Sequence, residues 1–193
     1  VIGGQGIMTE CKNQGFEVLG GPDHDDKELD IYNPGFTKED AEEVDAVLVG
    51  MDTSMNMYKL TFALACLKNG AKFYACNPDA YDKVGDRNIP GAGCMVTQLE
   101  AASGVTPLVL GKPNKYAIET AIQEHNLSKE ESIMIGDRID TDILLGQNAD
   151  VDTCLVLTGV SKLEHYAQQK KLKNGIVPTY VAKEVSCEST LKK

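Results

Sequence analysis

Short apolar runs alternate with amphipathic segments along most of the chain. Leu60, Leu64 and Leu67 recur at the spacing of one helical face. The predicted helices are 6–13, 56–68, 95–102, 115–124, 141–148 and 162–171. The predicted strands are 1–2, 16–19, 44–49, 72–76, 108–110, 132–135, 154–157 and 179–182. Strands and helices in alternation, with short connections, predict an α/β fold with a parallel sheet covered by helices.

Two polar stretches interrupt this alternation. Residues 20–43 are acidic and contain Gly and Pro, which predicts an exposed excursion. Residues 77–93 are rich in Pro, Gly and Asp and are predicted to form a long loop. A hinge near 85–93 divides the sequence into two predicted domains, 1–90 and 91–193.

Charge and composition narrow the function. Nineteen basic against 29 acidic residues give a net charge of -10, which argues against nucleic acid as a partner. No run of 18 apolar residues occurs, so no membrane span is expected. No basic-then-apolar signal segment opens the sequence. The six cysteines have neither C-x-x-C nor metal-site spacing, and several lie in apolar runs. They are interpreted as reduced core thiols of a cytoplasmic protein.

Two acids follow the apolar run 132–135. Asp137 comes almost directly after that strand, where ligands of open α/β sheets lie, and Gly136 allows a sharp turn. With Asp142 five residues on, this pattern favours a site for a hard cation such as Mg²⁺. A helix start is the alternative: Asp140 or Thr141 would cap it and Asp142 would lie in its first turn.

Lys112 also follows a predicted strand, 108–110. A lysine there can simply be solvated. That alternative loses weight, however, because Lys112 and Asp137 are expected to end two strands of one sheet, which would place an ammonium group beside a metal carboxylate. That pair would suit a phosphoryl group and its nucleophile.

The opening "VIGGQGIMT" has a partial dinucleotide-loop pattern. Asp23 and Asp25 lie about where a ribose-binding acid is expected. The third glycine is missing, and an ordinary strand-to-helix turn explains the segment better. A small dinucleotide-binding protein stays open as an alternative.

"GKP" followed by "GDRIDTDILLG" resembles motifs III and IV of the haloacid-dehalogenase (HAD) superfamily. "VLVGMDTSMNMYKLTFALACLKNGAKFYACNPD", "IPGAGCMVTQLEAASG" and "CLVLTGVSKLEHY" extend the resemblance over almost the whole chain. It is to phosphatases with a C2-type cap, such as the phosphoglycolate, pyridoxal phosphate, 4-nitrophenyl and NagD-type enzymes. The resemblance implies a Rossmann-like HAD core, of which only the C-terminal half is present, with an α+β cap over 1–90.

That resemblance implies Mg²⁺-dependent hydrolysis of a small phosphorylated metabolite through a phospho-aspartyl intermediate. By position in the motifs, Lys112 is expected to stabilise the nucleophile and the phosphoryl group. Asp137 is expected to bind the metal, and Asp142 to support it.

The same resemblance identifies residues 77–91 as the substrate-specificity loop of the cap. Asn77 and Asp79 are therefore expected to bind substrate, together with Lys112 and Arg138. A homodimer through the cap is also expected.

The sequence departs from the family at motifs I and II. The candidate Asp-x-Asp segments are 23–25, 140–142 and 150–152, and none directly follows an apolar strand as the motif I nucleophile must. We therefore expect the chain alone to be inactive. A catalytically dead binding or dimerisation module on the same fold is the alternative.

Overall fold

A computed structural model describes residues 1–185, which form two compact units. The first contains Val1–Val84 and Asn88–Val109, and the second contains Gly85–Arg87 and the chain from Leu110 onward. The boundary predicted from the sequence lies after residue 90 instead. The units divide later because the helix Ala92–Ser103 packs on elements of the first unit.

The first unit is built on a small parallel sheet. Its strands are β1 (Ala46–Val49), β2 (Lys72–Ala75) and β5 (Leu108–Val109), in the order β1-β2-β5. Its helices are α1 (Gln5–Asn13), α2 (Lys38–Glu42), α3 (Met57–Lys68) and α4 (Ala92–Ser103), with a 3-10 turn at Gly21–His24. A separate two-stranded sheet is formed by β3 (Tyr81–Val84) and β4 (Arg87–Pro90). Ile2 forms a parallel bridge to Val49, beyond the named strands.

The core of the first unit lies between this sheet and the helices α3 and α4. Alternate residues of β1 and β2 point into it, as the period of a strand requires. The buried side chains here include Val47, Val49, Phe73, Ala75, Cys66, Leu67, Met95, Val96 and Leu99.

The second unit contains α5 (Tyr116–His125), β6 (Ile133–Gly136), α6 (Leu144–Asn148), β7 (Asp152–Val156), α7 (Leu163–Gln169) and β8 (Tyr180–Ala182). A π-helical turn, Ile139–Ile143, leads into α6. The parallel sheet has the order β6-β7-β8, and its register pairs Ile133 with Asp152 and Gly136 with Leu155. The carboxyl ends of β6 and β7 therefore lie side by side.

Part of the second unit is poorly covered. Within residues 1–185, β6 is an edge strand, and its Ile133 and Ile135 side chains are 41% and 44% exposed. The helix α5 buries none of its residues. Parallel sheets are usually covered on both faces, so this exposure marks an apolar surface without cover in the described chain.

The α/β class is confirmed, and several predicted elements differ in detail. The predicted strand 108–110 pairs with β2 of the first unit, not with β6, so the inference that Lys112 and Asp137 end two strands of one sheet is wrong. Residues 16–19 form no strand, and the predicted loop 77–93 contains the β3–β4 hairpin and the start of α4.

Two expectations on composition can be compared with the structure. No helix among the described residues is long and apolar enough to cross a membrane. Of the cysteines in this part of the chain, Cys66 and Cys154 are buried, while Cys11, Cys76 and Cys94 are half-buried. All five are unpaired thiols. Cys187 lies outside the described residues.

Candidate active site

Asp137 follows β6 directly, and its polar groups are nearly all engaged. Its N–H donates to Asp142 Oδ2 at 3.1 Å, and its carbonyl accepts from Ser161 N–H at 2.9 Å. Val160 N–H donates to Asp137 Oδ2 at 2.6 Å. Within residues 1–185, Oδ1 of Asp137 accepts no hydrogen bond. The half-buried carboxylate thus presents one oxygen for a ligand.

Asp142 has a different environment. It is 5% exposed, and its Oδ2 accepts from the N–H groups of Asp137 and Arg138, both at 3.1 Å. Its Oδ1 lies 3.2 Å from Lys112 Nζ, in an ion pair. Both oxygens are therefore used to hold the loop and the lysine.

The π-helical turn and a glycine bring Asp142 close to Asp137. The carbonyl of Arg138 accepts from the N–H groups of Asp142 and Ile143, at 3.0 and 3.1 Å. Such turns occur often at functional sites. A Cβ on Gly136 would lie 2.3 Å from Asp142 Cβ. Gly136 is thus required for this close approach, a steric reason additional to the sharp turn expected from the sequence.

Lys112 lies in the segment after β5, with a cis peptide bond to Pro113. Asn148 Nδ2, at the end of α6, donates to the Pro113 carbonyl at 2.8 Å. The segment is therefore attached to the second unit independently of any strand pairing. The Lys112 side chain is 32% exposed, so its ammonium is near both Asp142 and solvent.

Arg138 was expected to bind substrate. It is 9% exposed, and its Nε lies 3.7 Å from Oδ1 of the exposed Asp140. The structure therefore places this guanidinium beside a carboxylate of its own loop.

Asn77 and Asp79, the other expected substrate-binding residues, lie in the first unit. Asp79 is buried, and its N–H donates to Asn77 Oδ1 at 3.0 Å. Its carbonyl accepts from Gly93 N–H at 2.9 Å, next to the start of α4. The structure brings Lys112, Asp137 and Asp142 together and places this pair in the other unit.

The loop after β7 holds residues to which the sequence analysis gave no role. Val160 and Ser161 donate to Asp137, as described above. A Cβ on Gly159 would lie 1.9 Å from Asp137 Oδ2. The available signal was position: this loop follows an apolar strand adjacent to that of Asp137, so its backbone reaches the same edge of the sheet.

A magnesium ion fits Asp137 as one ligand among several. Mg²⁺ in proteins commonly binds one or two carboxylates and completes its octahedron with water and substrate phosphate. Asp137 Oδ1 satisfies the first requirement. Among residues 1–185, no group of three or more His, Cys, Asp or Glu side chains converges on a metal position. The described residues could therefore supply one carboxylate oxygen to a cation and would not enclose it.

The three Asp-x-Asp segments do not supply a nucleophile beside Asp137. Residues 23–25 lie in and after the 3-10 turn of the first unit, where Lys59 Nζ pairs with Asp25 Oδ1 at 2.5 Å. Residues 140–142 form the π-helical turn itself. Residues 150–152 lead into the amino end of β7, away from Asp137.

The geometry of the opening glycines weakens the dinucleotide alternative. Gly3 N–H donates to the buried carboxylate of Asp52 at 3.2 Å, and Lys59 Nζ lies 2.9 Å from the same Asp52 oxygen. Since Lys59 also pairs with Asp25, that acid is engaged within the first unit. The segment is a structural turn tied to a buried ion-pair cluster.

The chain is similar to a HAD-hydrolase-like family model and to several phosphatases. A HAD-hydrolase-like family model matches residues 109–186. Phosphoglycolate phosphatase 2 of Arabidopsis thaliana is 38% identical over 96% of this chain and 62% of its own length. A hypothetical protein from Pyrococcus horikoshii OT3 has a TM-score of 0.73 at 33% identity, over 93% of this chain and 62% of that one. The p-nitrophenyl phosphatase from Archaeoglobus fulgidus has a TM-score of 0.71 at 29% identity, over 92% and 60%. The chain thus spans about three fifths of the length of the relatives it matches.

Proposed function

This chain belongs to the HAD-like hydrolase family, and from that premise we propose that it carries the phosphate- and cation-binding part of a phosphomonoester hydrolase site. The observation that carries the proposal is the arrangement of Lys112, Asp142 and Asp137. One ammonium, one buried carboxylate and one carboxylate with an available oxygen lie along two adjoining loops. A fixed ammonium, together with a cation that the available carboxylate would hold, stabilises the negative charge of a transferring phosphoryl group without moving during the reaction.

Each residue has a separate task in this proposal. Asp142 holds Lys112 by the ion pair at 3.2 Å and holds the Asp137 backbone by its other oxygen. The Lys112 ammonium supplies a positive charge that stabilises the phosphoryl oxygens and the nucleophile that attacks phosphorus. Asp137 binds Mg²⁺, which when present neutralises phosphate charge as a Lewis acid. Arg138 is proposed to contact the phosphate of the substrate.

The names of the relatives support a proposal for the substrate class. A small phosphorylated metabolite of the phosphoglycolate or nitrophenyl phosphate type is proposed, because proteins with those activities in their names match most of this chain. Mg²⁺ as cofactor, a homodimer through the first unit as cap, and a cytoplasmic location belong to the same proposal. Neither nucleic acid nor membrane is a proposed partner.

We also propose that these 193 residues do not turn over phosphomonoesters on their own. A covalent route needs a carboxylate aligned with phosphorus, and none of the three Asp-x-Asp segments is so placed. In the family, motif I precedes the cap. A chimera is therefore the direct test: the amino-terminal part of Arabidopsis phosphoglycolate phosphatase 2 placed before Val1. It should hydrolyse 4-nitrophenyl phosphate or phosphoglycolate with Mg²⁺, while the chain alone should not.

Substitutions in an active chimera separate chemistry from folding. Asp137→Ala and Lys112→Ala should each lower kcat/KM by at least ~10³, equivalent to roughly 4 kcal/mol. Asp142→Asn should lower it by about 10–100-fold and be partly restored by raised Mg²⁺. Rates are corrected for the folded fraction by circular dichroism. An Asp137→Ala chimera that keeps more than about a tenth of the activity would remove the metal-ligand role.

The alternative, a catalytically dead binding module, makes the opposite prediction. Its chimera would fold and bind a phosphorylated ligand without turnover. Hydrolysis by the chain alone that Asp137→Ala abolishes would contradict the proposed inactivity and leave the site assignment intact.

A further inference from the structure

Three hydrogen bonds join the loop after β7 to the loop after β6. Val160 N–H donates to Asp137 Oδ2 at 2.6 Å, and Ser161 N–H donates to the Asp137 carbonyl at 2.9 Å. Ile139 N–H donates to Ser161 Oγ at 3.2 Å, in a buried contact. Ser161 is itself 6% exposed. Asp137 is thus fixed from β7 at its backbone and at one side-chain oxygen.

The peptide between Gly159 and Val160 is oriented from its other side. Lys162 Nζ donates to the Gly159 carbonyl at 2.6 Å. In a trans peptide the carbonyl and the following N–H point in opposite directions. A carbonyl held by Lys162 therefore directs the Val160 N–H towards Asp137. Gly159 must lack a side chain here, since its Cβ would lie 1.9 Å from Asp137 Oδ2.

We infer that the segment 159–162 is a positioning element for Asp137, with Ser161 and Lys162 as its positioning side chains. By occupying Oδ2, it leaves Oδ1 to meet a cation as a monodentate ligand. Monodentate carboxylates suit the small octahedral shell of Mg²⁺ or Mn²⁺, whereas Ca²⁺ often takes both oxygens. The cation part of this inference rests on the proposed function, while the positioning of Asp137 is a property of the chain by itself.

Matched variants isolate the positioning role. Ser161→Ala removes the acceptor for Ile139 N–H, and Ser161→Thr keeps a hydroxyl. Gly159→Ala introduces a clash with Asp137 Oδ2, whereas Gly175→Ala introduces an equally close contact, 1.9 Å, with the Gln169 carbonyl. The Gly175 variant thus controls for general strain in the second unit. Lys162→Met removes the contact to the Gly159 carbonyl without a buried clash.

The first measurement is the amide proton shift of Val160 by NMR on the full chain. Short hydrogen bonds to carboxylates are charge-assisted, so this proton should lie downfield and move upfield in Asp137→Ala. Ser161→Ala, Lys162→Met and Gly159→Ala should move it in the same direction. Ser161→Thr and Gly175→Ala should leave it near the wild-type position. A Val160 shift that Asp137→Ala leaves unchanged would overturn the inference.

The second measurement uses Mn²⁺ alone as a paramagnetic probe. Wild-type resonances around Asp137 should broaden at a low Mn²⁺ concentration, with a much weaker response to competing Ca²⁺ than to Mg²⁺. Ser161→Ala and Gly159→Ala should need about 10-fold more Mn²⁺, the loss typical of removing a group that orients a ligand. Ser161→Thr and Gly175→Ala should stay within about 2-fold. Wild-type dependence in Ser161→Ala and Gly159→Ala would contradict positioning.

The two measurements distinguish failure of the proposed cation site from failure of the positioning role. If Mn²⁺ broadens nothing near Asp137 in the wild type, the proposed cation site fails. The Val160 shift in the Asp137 and Ser161 variants would still decide whether the loop positions that carboxylate.

Discussion

Asp137 and Asp142 are five residues apart and do different work. Asp142 is buried and uses both oxygens within the protein, while Asp137 keeps one oxygen available. Removing the partners of a buried carboxylate lowers the free energy of unfolding. Removing the carboxylate from its buried partners does the same. We therefore expect substitution of Asp142 to affect mainly stability, and substitution of Asp137 to affect mainly ligand binding.

Asp142→Ala should lower the free energy of unfolding by about 2–4 kcal/mol, because the buried N–H of Arg138, the partly buried N–H of Asp137 and the Lys112 ammonium lose a charged acceptor. Urea unfolding followed by circular dichroism measures it. Asp140→Ala is the control, since that side chain is 72% exposed, and should stay within ~0.5 kcal/mol. Equal effects of the two substitutions would show that Asp142 does not anchor the loop.

Thiol reactivity should follow burial. Burial raises the pKa of the Cys66 and Cys154 thiols above the ordinary value, and both side chains are almost inaccessible. Reaction through an opening that costs ~3 kcal/mol is slowed about 100-fold. Iodoacetamide should therefore modify both far more slowly than the half-buried Cys94. Timed alkylation with peptide mass spectrometry measures the rates, and comparable rates for all three would contradict the packing.

The same pKa direction gives a pH dependence of stability. A thiol whose folded pKa is raised favours the folded state while it is protonated. That contribution is fully present below the unfolded pKa and is lost as pH rises through the folded pKa. Cys66→Ala and Cys154→Ala should each flatten the alkaline loss of stability in urea unfolding between neutral and alkaline pH.

At the site, the sequence could indicate positions but not contacts. Asp137 and Lys112 were recognisable because each follows an apolar run, and Asp142 because of its fixed spacing. No such signal marks the Val160 N–H group in the sequence, since every non-proline residue has a backbone N–H. Its role depends on the register of β6 and β7, which pattern alone does not define.

At the scale of elements, β6 is the feature with the clearest consequence. It is an edge strand in the described chain, with Ile133 and Ile135 exposed and no lysine or proline to block pairing. Ile135→Lys should reduce self-association at micromolar to millimolar concentration, because a charge on an edge strand opposes pairing. Light scattering measures it, with Leu163→Lys on α7, 60% exposed, as the control. Equal light scattering from the wild type and from Ile135→Lys would show that the β6 edge is not the site of self-association.

Element prediction worked where the apolar period was long. The helices α3 and α4 and the strands β1, β2, β6 and β7 lie close to their predicted positions, because buried faces impose a regular pattern. The hairpin β3–β4 was missed because seven of its eight residues are exposed and carry no such pattern. Pairing of β5 with β2 was also missed, since a two-residue strand says nothing about its partner.

At the scale of the whole molecule, charge and exposed apolar side chains act in opposite senses. A net charge of -10 makes copies of the chain repel each other at low ionic strength. The first unit nevertheless exposes Ile31, Tyr32 and Met57 at 73%, 92% and 62%. The resemblance to capped phosphatases predicts that association occurs through this unit.

We therefore expect a homodimer whose affinity rises with salt, because screening over about 10 Å at 0.1 M removes repulsion while apolar contacts persist. Sedimentation equilibrium at low and at moderate salt measures it. Tyr32→Lys and Met57→Lys should each weaken the dimer if the first unit forms the interface. Ile135→Lys, which is expected to reduce association beyond the dimer through the β6 edge, should leave the dimer intact. Weakening by Ile135→Lys alone would assign association to the β6 edge instead. A chain that stays monomeric at both salt concentrations would contradict association through the first unit and through the β6 edge. Salt screens the charge repulsion, so any apolar attraction between copies should then become measurable.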